Sequence, residues 1–249
     1  MNFFDCNAFF GLPATGALLP VETAGKLTLE MSRAGVEKAL VWHISQHDVD
    51  AQVGNRLLAE AIQPYPQLYG CWALLPNQTG EYFSPEVLFQ EMKANKIRAL
   101  RVFPVQHLFL LTRISLGQYL EAITERRIPL LVSLRRDCTW HEIYHLLEEF
   151  SNLLCVICDH GPWGMDRMFR PLLETYPHVY LETGQYMTDG ALEALVKDYG
   201  ADRLLYGSGF PEAEFGGMML TIKHAHLSQA EKEAIAGGNL ERILAEVHL

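Results

Sequence analysis

The sequence predicts a (β/α)8 barrel. Eight short apolar runs recur along its 249 residues, amphipathic stretches separate them, and the length suits one compact barrel. The runs are Phe3–Phe9, Val36–His43, Leu68–Leu75, Ile97–Phe103, Ile128–Leu134, Leu153–Asp159, Val179–Thr183 and Leu204–Gly207. Most are apolar without alternation, as strands buried on both faces of a parallel sheet are. Between and after them, helical spacing marks Glu22–Arg33, Asp50–Ile62, Pro85–Ala94, Leu116–Arg126, Trp140–Phe150, Arg167–Thr175, Ala191–Tyr199 and Gln229–Val247. Strict β-α alternation needs right-handed crossovers, and eight such units close most naturally into a barrel. No G-x-G-x-x-G turn follows the first run, which argues against an open doubly wound sheet. The expectation is one barrel domain over residues 1–249.

Local signals support the helices. Thr139 with Glu142, and Ser228 with Glu231, have the spacing of capping boxes, and Ser84-Pro85 sets an N-cap before a proline at the first helical position. Gly35, Gly200 and Tyr176-Pro177 end helices just before strands. Two runs exceed a minimal barrel: Leu12–Pro20 after the first strand and Val105–Ile114 after the fourth. They predict a distorted barrel with long loops over its C-terminal face. The apolar Leu108–Leu111 in the second should be buried, over a pocket or in a homodimer contact.

Composition narrows the function classes. Apolar residues at 49% and charged residues at 20% fit a globular protein with a large core. Twenty Lys and Arg against thirty Asp and Glu give a formal charge of −10, which repels phosphate and disfavours nucleic acid or an anionic membrane. An anionic ligand would need a local basic pocket. Five cysteines, mostly inside apolar runs, read as buried free thiols in a reducing compartment, with the cytoplasm the default. The opening MNFFDCNAFFG lacks the features of a signal peptide, and no run reaches membrane-span length.

Parallel barrel strands aim their C-terminal ends at one face, so polar residues there are site candidates. His160 follows the sixth run in a DHGPWG turn and suits a general acid or base. Asp159 is out of phase with it and reads as a bracing residue. Arg101 shares strand parity with Phe103, and a buried guanidinium needs either an internal carboxylate or an anionic ligand. Arg135 and Arg136 follow the fifth strand, where one of them could join Arg101 in clamping a carboxylate. His43 and Glu182 are candidates by position at strand ends. Cys6, of opposite parity to Asn7, is expected to pack against a helix, and Trp163 to wall a pocket or cap the barrel end.

Three motifs carry a family resemblance over the whole length: DCNAFFG at residues 5–11, LYGSGFP at 205–211 and GGNLERIL at 237–244. The chain resembles the amidohydrolase-related proteins, metal-dependent hydrolases and decarboxylases on a distorted (β/α)8 barrel. His160 resembles the family's sixth-strand histidine, and Arg101 an arginine that its fourth strand often aims inward. The departures are at the metal ligands. The two histidines of the first strand fall on Asn7 and Phe9, the fifth-strand histidine on Ser133 and the eighth-strand aspartate on Gly209. One imidazole with an amide and a hydroxyl is too few donors for zinc, so no catalytic metal and no cofactor are expected. The expectation is a hydrolase of a small carboxylate-bearing substrate without a complete metal centre. His160 would be the acid or base, and Asn7, His43, Arg101, Ser133 and Glu182 would contact substrate. A decarboxylase-type lyase, in which His160 protonates a carbanion, and a non-catalytic binding or regulatory barrel are the alternatives.

Overall fold

The computed structural model describes residues 1–14, 19–136, 138–161 and 165–249; Trp163 and part of the first long loop lie outside them. The eight strands are β1 Phe3–Phe10, β2 Val36–His43, β3 Leu68–Ala73, β4 Ile97–Arg101, β5 Leu130–Ser133, β6 Cys155–Cys158, β7 Val179–Glu182 and β8 Leu204–Leu205. They form one parallel sheet in sequence order. The circle is drawn together by bonds from Cys6 N to Tyr206 O and from Gly209 N to Asn7 O, both 2.9 Å. The chain is therefore a (β/α)8 barrel. Two helices, Ser45–Asp48 and Gly216–His224, were not foreseen. The final helical stretch divides into Gln229–Glu233, a π-helical turn at Ala234–Gly238 and Asn239–Ala245.

The side chains sort into two layers because parallel strands bury both faces. Phe4, Cys6, Leu40, Cys71, Ala99, Leu131, Val156, Cys158, Tyr180 and Leu205 fill the barrel. Phe3, Val41, Leu100, Val132, Cys155 and Ile157 pack outward with the helices. Cys155 and Cys158 thus face opposite layers, and all five cysteines are buried thiols outside any disulfide. Both capping boxes form, and Gly35 takes the left-handed conformation that ends the first helix.

One expectation about the layers needs correction. Cys6 is inside the barrel, because β1 carries an extra residue between Asp5, which pairs with Ala39, and Ala8, which pairs with Val41. That bulge breaks the period-2 alternation on which its outward assignment rested. Within the loop Leu108–Leu111, Leu111 is buried and Phe109 packs on the core, while Leu108 is 92% and Leu110 70% exposed in the single chain. They border a cleft of about 940 Å³ lined also by Val49, Leu75, Val105 and Ile114. Among the described residues, no helix is long and apolar enough to cross a membrane.

A buried amide locks the β2–β3 side of the barrel. Asn55 Oδ1 accepts from Gln46 Nε2 at 2.7 Å and from Ala73 N at 2.8 Å, while its Nδ2 donates to Ala73 O at 2.9 Å. Replacing Asn55 with Leu leaves buried polar groups without partners. Chemical denaturation of Asn55→Leu should show a loss of about 2–5 kcal/mol.

Candidate functional site

The C-terminal mouth divides into a carboxylate side and an aromatic, cationic side. The carboxylate side is built on Asp5, Asp159 and Glu182. Glu182 ends β7, buried, and its two oxygens accept from Asp159 N at 2.8 Å and Gly184 N at 2.7 Å. Asp5 accepts from Ser208 N at 3.0 Å, from the Ser208 hydroxyl and from Asn7 N at 2.9 Å. Burial raises both carboxyls, Asp5 to about 6 and Glu182 to about 8, with the charge of Asp159 adding to the shift of Glu182.

Asp159 and His160 occupy the reverse of the positions expected from alternation. Strand β6 stops at Cys158, and Asp159 takes φ 57°, a left-handed conformation that aspartate tolerates better than most residues. The turn sends the half-buried Asp159 carboxylate over the mouth. There Asn7 Nδ2 donates to it at 3.2 Å and the Ser133 hydroxyl donates to its other oxygen. His160 is sent to the opposite side, against the rings of Phe169 and Tyr186, with centroids at 5.3 and 5.4 Å. Its Nε2–H donates to the Glu182 backbone carbonyl at 3.0 Å, and desolvation lowers its pKa to about 4. His43 also turns away from the barrel axis. Its Nδ1 accepts from Ser45 N at 3.2 Å, and its ring meets Phe10 edge-on.

On the other side, Phe9, Trp42 and Phe103 form a buried row, with centroids 4.7 and 5.4 Å apart. Arg101, only 1% exposed, lies over this row, its guanidinium carbon 4.2 Å from the Trp42 centroid and 5.3 Å from that of Phe103. Its Nε and Nη1 atoms have no hydrogen-bond partner, and Glu182 spends both oxygens on backbone amides. Of the two arginines after β5, Arg136 is the one beside the mouth, 5.6 Å from the Phe9 centroid and 5.7 Å from that of Trp42. Its backbone N donates to Ser133 Oγ at 3.0 Å, and its side chain pairs with Glu212, which also holds the exposed Arg135 at 3.1 Å.

The structure therefore brings Asn7, Ser133, Asp159 and Glu182 together on one side of the mouth and places Arg101 on the other. His43 and His160 lie outside it. Trp42, Arg136, Glu212 and the forward role of Asp159 were missed or left open. The one usable signal was an Asp before His-Gly, where a turn can reverse the alternation.

A divalent metal would need three or four free donors. Here the three carboxylates are engaged as described and His160 faces away. Among the described residues, no group of three or more His, Cys, Asp or Glu side chains is arranged to hold a metal ion. The described residues do not fit such a centre.

A parallel eight-stranded barrel with polar groups gathered at the C-terminal ends of its strands defines the architecture of the TIM-barrel enzymes. The amidohydrolase family model matches residues 15–245, and the chain belongs to that family. No curated protein matches the sequence significantly. Solved structures share the fold at low identity. A candidate 2-pyrone-4,6-dicarboxylic acid hydrolase from Pseudomonas putida is 22% identical, with a TM-score of 0.74 and 98% of both chains covered. An uncharacterized TIM-barrel protein from Bordetella bronchiseptica is 17% identical, with a TM-score of 0.73 and 99% of both chains covered. The 2,6-dihydroxybenzoate decarboxylase from Rhizobium is 15% identical, with a TM-score of 0.74 and 98% of both chains covered.

The raised carboxyl of Glu182 has a consequence for stability. Its folded pKa, about 8, lies above the ordinary 4.5, so the folded state holds a proton that the unfolded state has released. Stability from this group is fully present below pH 4.5 and is lost as pH rises through 8. Thermal melts should fall in midpoint between about pH 4.5 and 8 and level off above, and Glu182→Gln should flatten that slope whatever its absolute stability. An unchanged slope in the variant would assign the pH dependence elsewhere.

Proposed function

We propose that the chain is a cytoplasmic, single-domain hydrolase of a small carboxylate-bearing molecule, working without a complete metal centre or other cofactor. The observation that supports this is Arg101, a buried guanidinium with two of its nitrogens, Nε and Nη1, unpartnered. An ion in that position is costly unless an anion completes it, and a ligand carboxylate can do so bidentately. Asp159, oriented by Asn7 and Ser133, takes the proton of the attacking water. That proton passes to the leaving atom as its bond to the carbonyl carbon breaks. Glu182, its carboxyl raised by burial to about 8, stays protonated behind it. His160 holds the end of β7 through the Glu182 carbonyl.

A hydrolase candidate and a decarboxylase share the fold, so both chemistries have precedent on it. Hydrolysis is preferred because His160, the group expected to protonate a carbanion, packs against Phe169 and Tyr186. A non-catalytic binding barrel is the second reading, and the row Phe9, Trp42 and Phe103 favours it by filling part of the mouth. The exposed Leu108 and Leu110 suit a homodimer contact in either reading.

The test is turnover of esters, lactones and amides that carry a carboxylate. Asp159→Asn should lower kcat by roughly 10²–10⁴-fold with little change in KM. Arg101→Met should weaken binding by about 2–5 kcal/mol. Binding that depends on Arg101, with no turnover of any substrate, would replace the hydrolase with the binding barrel. Elemental analysis should find less than stoichiometric zinc or manganese, and one ion per chain would overturn the metal-free reading.

A further inference from the structure

The two cations of the mouth are satisfied unequally. Arg101 has no internal anion on its Nε or Nη1, whereas Arg136 is met by Glu212. Both nevertheless lie beside the same indole. Their guanidinium carbons are 4.2 and 5.7 Å from the Trp42 centroid, distances that bound their separation at about 10 Å. A short molecule with two anionic groups can span that gap.

Glu212 is delivered to this place by the backbone. It follows the Phe210-Pro211 segment after β8, where Gly209 N donates to Asn7 O at 2.9 Å and Glu212 N donates to Gly209 O at 3.0 Å. Its carboxylate thus stands at the rim on a segment tied to the site, bridging the loop after β5 to the loop after β8. Its pairs with Arg135 and Arg136 are partly exposed, with side chains 17–37% accessible. Pairs of that kind add little net stability, so exchanging one carboxylate for another on Arg136 is nearly free of cost.

Resting on the reading that a carboxylate binds at Arg101, we propose that the ligand carries a second anionic group and that Glu212 holds its place on Arg136 until the ligand enters. A dianion then gains both arginines and displaces Glu212. A monoanion gains Arg101 alone and leaves Glu212 where it is. The exchange also gives a protein of net charge −10 a way to accept a dianion, since the local field turns positive as Glu212 leaves.

Isothermal titration with matched probes tests this: isophthalate against benzoate, and glutarate against butyrate. In the wild type, each dicarboxylate should bind about tenfold tighter than its monocarboxylate. Glu212→Gln should tighten the dicarboxylates severalfold and leave the monocarboxylates unchanged. Arg136→Met should erase the dicarboxylate advantage, and Arg136→Lys should restore part of it, which separates lost charge from lost folding. If mono- and dicarboxylates bind alike in every variant while Arg101→Met still weakens both, the second anionic group is refuted and the carboxylate site stands. If no probe binds even Glu212→Gln, both are refuted.

Discussion

Glu182 is the anchor on which the geometry of the mouth depends. Its two oxygens take the backbone amides of Asp159 and Gly184, so one buried carboxyl fastens the end of β6 to the end of β7. The bond to Asp159 N holds that residue at the start of a left-handed turn. The turn decides which of two adjacent side chains enters the mouth and which goes to the helices. The packing leaves no alternative: a Cβ on Gly184 or Gly207 would lie 1.9 or 2.4 Å from Glu182 atoms, so both glycines are required by close approach. A carboxyl this enclosed holds its proton to about pH 8. Asp159 beside it is only half-buried, and Asn7 and Ser133 hold its two oxygens over the mouth.

The same division of charge explains how an acidic barrel keeps an unneutralised buried cation. Asp5 spends its oxygens on Ser208 and Asn7, and Glu182 spends its own on backbone amides, so neither is free to neutralise Arg101. The indole of Trp42 and the ring of Phe103 give that guanidinium a partial substitute through their π faces. Ring faces offer no acceptor in the plane of the fork, and it is there that a carboxylate would bind.

The architecture was legible because it rests on a signal repeated eight times. The side chains inside the barrel were legible in part from the two-residue period: Arg101 and Phe103 share a face as their spacing requires, whereas at the end of β2 it is Trp42 and not the expected His43 that faces inward. The period failed where the backbone adds or reverses a step. The bulge in β1 brings Cys6 inside, and the left-handed Asp159 exchanges the places of Asp159 and His160. Neither can be read from hydrophobic spacing, which carries no information on φ at a single residue. The choice between Arg135 and Arg136 was illegible for a related reason. Both follow the strand in a turn, and Glu212, from the other side of the mouth, contacts them both.

The frame and the mouth are held by separate interactions, and this separation lets a family barrel keep its shape while its site changes. Asn239, in the GGNLERIL motif, donates to Ala201 O at 2.8 Å and Leu204 O at 2.9 Å, which pins the last helix to the short β8. Gly237 allows that helix to approach β1, since a Cβ there would stand 2.8 Å from Asn2 O. Neither contact reaches the C-terminal face. Substitution of Asn7, Phe9, Ser133 or Gly209 therefore leaves the braces at the opposite end untouched. What such changes alter is the set of donors over the barrel axis. An axis lined by Asn7, Ser133 and Asp159 can orient a water or a carbonyl by hydrogen bonds, and the charge needed to hold an anion has to come from Arg101 and Arg136 across the mouth.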